Sequence, residues 1–183
     1  MSNTDYYSEA THGPHEFFEL GNYRLESGIT LPNARIAYKT HGKLNAAKDN
    51  VVLFPHMWSG TPTAMEIFIG EDRPLDPRKY FIILPGQFAN GFSSSPSNTP
   101  PPFNGGAFPH VTIGDDVVAQ YRLITERHGI QRLELVLGWS MVPSRRMNGP
   151  SATRTWLNAR CRLPALRRPR RMTSSSSGRI KTP

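Results

Sequence analysis

Covalent chemistry has one clear foothold in this sequence. Leu135-Val136-Leu137-Gly138-Trp139-Ser140-Met141 is an apolar run that ends in Gly-x-Ser. That is the first half of the G-x-S-x-G pattern, in which a tight strand-to-helix turn strains a serine and exposes its hydroxyl. The turn needs small residues two positions either side of the serine, because the following helix packs close to the strand. Gly138 meets that need; Val142 does not, and Pro143 and Ser144 do not read as the start of a supporting helix. A serine becomes a nucleophile only when a base takes its proton and N–H donors stabilise the oxyanion. All six histidines, His12, His15, His41, His56, His110 and His128, precede Ser140, and no Asp or Glu follows it.

Such a serine sits at the carboxyl end of a buried strand, so earlier elements must supply a sheet. Val51-Val52-Leu53-Phe54 is continuously apolar, as are Tyr80-Phe81-Ile82-Ile83-Leu84 and the Leu133–Leu137 stretch. Strands buried on both faces read this way, which predicts three parallel core strands. Tyr23–Leu25 and Ala34–Tyr38, separated by Gly28 and Pro32, predict a hairpin ahead of them. Val117, Val118, Tyr121, Leu123 and Ile124 fall at helical spacing, so a helix is expected over Asp115–His128 with Gly129 as its stop. Asp115 and Asp116 then need no catalytic role, since acids at a helix start are favoured by the dipole. Residues 92–109 carry four Ser and five Pro and form a loop, either a surface connection or the border of a site beyond the strand ends. An antiparallel start followed by buried strands and a helix makes the fold class α/β.

As a set, Ala37-Tyr38-Lys39-Thr40-His41-Gly42-Lys43-Leu44-Asn45, Asp49–Leu53, Ser94-Ser95-Pro96-Ser97-Asn98-Thr99-Pro100-Pro101, Phe108–Ile113 and Gly138–Met141 resemble the homoserine O-acetyltransferase-like branch of the α/β-hydrolase superfamily. The resemblance covers about residues 16–141. It implies the N-terminal part of an α/β-hydrolase fold, a mostly parallel sheet with flanking helices. By that resemblance Ser140 is the catalytic nucleophile. The backbone N–H of Met141 is one oxyanion donor, and the other comes from the loop after the Val51 strand, near Met57 or Trp58. The resemblance implies an acyltransferase, with ester hydrolysis as the alternative. Acetyl-CoA enters as an acyl-donor substrate rather than a resident cofactor, and no cofactor or metal is expected. The partners are a small-molecule acyl donor and acceptor, and relatives form homodimers. The family triad runs Ser, Asp, His in chain order, so its base and acid are missing after Ser140. His56, in the oxyanion loop, reads as a residue fixed by strand packing, and His110 as a surface residue.

Charge divides the chain at the same point. Residues 142–183 hold eleven Lys and Arg and no acid, whereas residues 1–141 hold eleven basic and fourteen acidic residues, so the two parts carry about +11 and −3. The family continues after the nucleophile with Gly-Ala-Gln-Gln, Tyr-Glu-Trp-Ala and Pro-His-Asp-Phe, none of which stands in residues 142–183 as written. Read one nucleotide out of phase, with one G restored after Met141, the genetic code permits the first of these runs from position 142. Met147 and Asn148 then force GAA, glutamate. Asn148 and Gly149 leave only TGG or CGG, and Met172 with Thr173 forces GAC, aspartate. We therefore read 142–183 as a frameshifted, cationic and disordered tail, behind a flexible N-terminus over 1–15 and the partial domain over 16–141.

The competing reading from another class makes this Arg-rich tail a nucleic-acid or polyanion binder. No aromatic platform or named binding motif accompanies it, so no specific nucleic-acid partner is expected. Cys161 is the lone cysteine, which excludes an internal disulfide framework and a cysteine-rich zinc site. No apolar run approaches a membrane span and no secretory signal is readable, so the expected location is the cytoplasm, with no membrane partner.

Overall fold

The computed structural model describes residues 6–57 and 60–138 and the backbone of Cys161–Arg162. After a helical turn, α1 (Glu9–His12), the chain forms β1 (Glu16–Arg24) and β2 (Thr30–His41), an antiparallel hairpin longer than the sequence pattern indicated. Residues 1–15 read as a flexible N-terminus in sequence; from Tyr6 onward this stretch carries α1 and an aromatic cluster that ends on Phe92.

Three further strands, β3 (Val51–Leu53), β4 (Phe81–Pro85) and, later in the chain, β6 (Leu135–Val136), complete a five-stranded sheet ordered β1-β2-β4-β3-β6. β3 runs parallel to both β4 and β6, and β2 joins the sheet antiparallel to β4. The unbroken apolar runs now have a physical cause. Val51, Leu53, Phe81 and Ile83 point into one core with Leu123, Ile124 and Leu133. Val52, Phe54, Ile82 and Leu84 point into a second core with Met65 and Leu75. Both faces of the strands are covered, so alternation is lost from the sequence.

The second core lies under α2 (Pro62–Met65), which a 3-10 turn over Glu66–Phe68 extends. The first lies under α3 (Ile113–Arg122), which begins with a capping box between Thr112 and Asp115. The helix expected over Asp115–His128 thus starts slightly earlier, and its last turn, Leu123–Arg127, is a π turn. Gly129 ends it with φ of 63°.

The single strand expected over Leu133–Leu137 divides at Glu134. β5 (Arg132–Leu133) pairs antiparallel with the backbone of β7 (Cys161–Arg162), while β6 follows β3. The Glu134 and Leu137 N–H groups donate to the Val51 and Leu53 carbonyls, both at 2.9 Å, so the ladder along β3 survives the division. No helix among the described residues is long and apolar enough to cross a membrane.

Candidate active site

Parallel pairing of β4, β3 and β6 brings their carboxyl ends to one rim of the sheet. β6 leads there to Leu137 and Gly138; Trp139, Ser140 and Met141 lie outside the described residues. β3 leads to Phe54, Pro55, His56 and Met57, followed by Trp58 and Ser59, which also lie outside them. Of the four site residues singled out in the sequence, the structure therefore describes Met57 alone, and it puts Met57 at this rim.

The loop carrying Met57 is held by the loop that follows β4. Gln87 Nε2 donates to the His56 carbonyl at 2.6 Å. His56 is fully buried, its Nδ1 is 2.7 Å from the Met57 carbonyl, and the Asn90 side-chain amide lies 3.1 Å from Nε2. These contacts fix the tautomer, with Nδ1–H donating and Nε2 accepting. The ring's basic lone pair is thus engaged by Asn90. The reading of His56 as a positioned loop residue gains a mechanism: it staples the β3 loop to the β4 loop. The Gly60 N–H closes a turn on the Met57 carbonyl at 2.9 Å, and Thr61 Oγ1 caps α2 by accepting from the Ala64 N–H at 3.1 Å.

α3 in turn supports the β4 loop. Asp116 Oδ1 accepts from the Phe88 N–H at 2.8 Å, and Gln120 Nε2 donates to the Gly86 carbonyl at 2.9 Å. Asp115 accepts from the Glu26 N–H at 2.8 Å, and its backbone carbonyl accepts from the Tyr23 hydroxyl at 2.7 Å. Burial, and the Asp115 charge next, hold the Tyr23 phenol well above its ordinary range. The two acids do more than complement a helix dipole: they tie the helix start to the hairpin and to the site rim. His110 is exposed, as the sequence indicated.

The Ser-rich loop is built onto the edge of β2. Ser93 Oγ and Ser94 Oγ accept from the Ala37 and Arg35 N–H groups at 3.1 and 2.9 Å, and the Ser94 N–H donates back to the Arg35 carbonyl. The loop thus continues the edge of β2 where β4 no longer pairs with it. A cavity of about 340 Å³ opens beside it, bordered by Gly60, Thr61, Asn90, Phe92 and two N-terminal residues, Tyr6 and Tyr7. Among the described residues no charged side chain lines it. Reasoning from sequence had missed Gln87, Asn90 and the two tyrosines. Two amides within five residues of the end of an apolar strand were a readable signal for the first pair; nothing local marked the tyrosines. Among the described residues no three His, Cys, Asp or Glu side chains cluster as a metal site would require.

The sequence and the fold have counterparts in known proteins. The chain is 51% identical over 137 residues to an ethyl acetate hydrolase of Pseudomonas veronii, a match covering 74% of this chain and 39% of that protein. It is 36% identical over 142 residues to a homoserine O-acetyltransferase of Chlorobium chlorochromatii, covering 73% of this chain and 40% of the relative. The solved structure of an acetyl esterase superposes with a TM-score of 0.75 at 48% identity, over 77% of this chain and 41% of that one. No protein-family model matches the chain. The fold is therefore the N-terminal portion of an α/β-hydrolase fold. It spans about two-fifths of the length of the relatives it matches, and these include both ester hydrolases and homoserine acyltransferases.

Proposed function

We propose that residues 16–141 are the first portion of an ester hydrolase acting through an acyl-enzyme on Ser140. The observation that carries this reading is the greater identity to an ester hydrolase, 51% against 36% for the homoserine O-acetyltransferase. The transferase that the sequence motifs brought forward first becomes the second reading. The two share an acyl-enzyme and differ in whether water or an alcohol attacks it.

In this mechanism Ser140 Oγ attacks the ester carbonyl. Negative charge gathers on the carbonyl oxygen, which the Met141 N–H and an N–H at Met57 or Trp58 receive. The alkoxy group leaves with a proton as the alcohol, and water releases the acid. The structural contribution of the described residues is preorganisation: Gln87, His56 and Asn90 fix the Met57 turn before substrate arrives. The proton carrier is what this chain lacks. His56 is engaged on both ring nitrogens, and no histidine follows Ser140. We further propose that residues 142–183 are read out of frame and that the intact gene supplies the base and its acid.

Two measurements test this. The nucleotide sequence across codon 141, with one G inserted, should open a frame that runs well past residue 183 and encodes a later Asp and His; early stops in that frame overturn the proposal. The frame-restored protein should hydrolyse a short aryl ester at a rate that Ser140→Ala abolishes. The 183-residue chain should show no difference from its own Ser140→Ala variant, because a neutral hydroxyl without a base is a poor nucleophile. A Ser140-dependent rate in the 183-residue chain would mean that another group replaces the base.

A further inference from the structure

We propose that the N-terminal arm, residues 6–13, is a wall of the substrate cavity, with Tyr7 setting its size for small uncharged esters and Lys39 holding the arm in place as a positioning residue. The proposal rests on the ester-hydrolase reading and deepens it. Tyr6 and Tyr7 border the cavity from one side, while Gly60 and Thr61, from the loop after β3, and Asn90, from the loop after β4, border it from the other. The cavity therefore lies at the rim of the sheet where Gly138 leads to Ser140.

Three observations show that the arm's position is built in. The first is a close approach. A Cβ on Gly91 would lie 2.3 Å from the Tyr7 ring, and Gly91 has φ of 93°, so glycine at this position leaves the space the ring occupies. The second is a ring cluster: Tyr7 meets Phe92 edge-on at 5.1 Å, Tyr6 meets Tyr7 at 5.1 Å, and His12 meets Phe92 at 5.1 Å. The third is an anchor. Lys39, 9% exposed, reaches from β2 to donate to the His12 carbonyl at 2.6 Å, to Thr63 Oγ1 at 3.0 Å and to Glu66 Oε1 at 3.0 Å. Thr63 Oγ1 donates to the same His12 carbonyl at 2.5 Å. The carbonyl at the end of α1 is thus gripped from β2 and α2 together. A buried ammonium persists only when paired and fully hydrogen-bonded, and here the backbone of the arm completes its set of acceptors.

The lining decides the chemical class. A volume of about 340 Å³ is at the small end of the roughly 300–1,000 Å³ typical of ligand pockets. With no charged side chain among the described residues on its walls, those walls offer nothing to the ammonium and carboxylate of an amino-acid alcohol, and burying those groups unpaired is costly. A short neutral ester meets aromatic and small residues with a few polar atoms, which suits it.

The test reads binding rather than turnover, so it stands or falls apart from the Ser140 assay. Saturation-transfer NMR on the 183-residue chain would use three probes: ethyl acetate, ethyl octanoate and O-acetylhomoserine. We expect transfer to ethyl acetate alone in the unaltered protein. Tyr7→Ala should weaken ethyl acetate roughly three- to tenfold, the scale of one aromatic contact, and bring ethyl octanoate into view. Tyr7→Phe, which keeps the ring, should rescue the original pattern. Lys39→Met and Gly91→Ala should each reproduce the Tyr7→Ala pattern while the backbone amide spectrum of β3 and β4 stays unchanged. Absence of ethyl acetate transfer in the unaltered chain would overturn the proposal. So would equal transfer from ethyl acetate and O-acetylhomoserine, or probe selectivity that Tyr7→Ala leaves unchanged.

Discussion

At the residue scale the sequence spoke most clearly through types that tolerate few alternatives. Gly129 marked the helix stop, whereas the Gly-x-Ser that singles out Ser140 leads outside the described residues. Titratable side chains were harder to read, because their work is set by partners distant in the chain. Asp115 bonds the Glu26 N–H, and the charges of Arg127 and Lys48 both bear on His128. At His128 such placement changes the acid–base behaviour of the ring. Burial, then the Arg127 charge, pushes its imidazole below the ordinary value of 6.5, with Lys48 acting the same way and Glu16 opposing them. Its Nε2 is buried without a hydrogen-bond partner among the described residues, and the ring lies edge-on to Tyr38 and Phe81. The folded state therefore binds a proton less readily than the unfolded chain. Stability from this residue is complete above about pH 6.5 and is lost as pH falls from there through the lower folded value. His128→Phe should flatten that part of the profile. The measurement is the loss of Tm between pH 7.5 and 5.5, which should be smaller in the variant than in the unaltered chain; equal losses would show that His128 carries no linkage.

At the element scale, continuity of apolar residues revealed the core strands because both faces of β3 and β4 are covered, while the residues of β6 are partly buried. Their exact division was not legible: Glu134 splits one apolar stretch between two ladders, a choice made by pairing partners rather than by propensity. The hairpin was underestimated for a related reason. β1 is exposed along much of its length, and Glu16 and Glu19 interrupt Phe17, Phe18 and Leu20, so the stretch shows neither the unbroken apolar run of a buried strand nor strict alternation. The joint between β2 and the segment before β4 illustrates how tightly elements meet. Gly42 follows β2 with φ of 79°, and a Cβ there would lie 2.1 Å from the Tyr80 carbonyl oxygen and 2.5 Å from that of Pro77. Both neighbours are backbone atoms at the entry to β4, so neither can swing aside. Gly42→Ala combines a left-handed conformation with a clash and should cost about 2–4 kcal/mol in urea unfolding, with the m value unchanged. A cost below about 0.5 kcal/mol, the level of an ordinary surface substitution, would show that this joint is looser than its distances indicate.

At the scale of the whole molecule, the described residues form one end of a larger design. Among the described residues the sheet order β1-β2-β4-β3-β6 leaves β6, a two-residue strand, at the far edge, and the chain matches about two-fifths of each relative. An edge strand with open N–H and C=O groups invites pairing with other chains. β5 is partnered by the backbone of β7, so among the described residues the open edge is confined to β6. If residues 142–183 are out of frame, the intact protein places further sheet beyond β6, and the two products should differ in how they unfold. Denaturant sensitivity scales with the surface exposed on unfolding. The 183-residue chain should therefore unfold with a smaller m value per residue than the frame-restored protein and bind more of a dye specific for exposed apolar surface. Its cationic segment should also bind DNA and heparin alike, with affinity falling steeply with salt, and truncation after Met141 should remove that binding. Discrimination among nucleic-acid sequences that survives at high salt would instead make the basic segment a recognition element. Equal m values per residue and equal dye binding in the two products would mean that the described sheet is already closed, and that the sequence beyond Met141 contributes nothing to the fold.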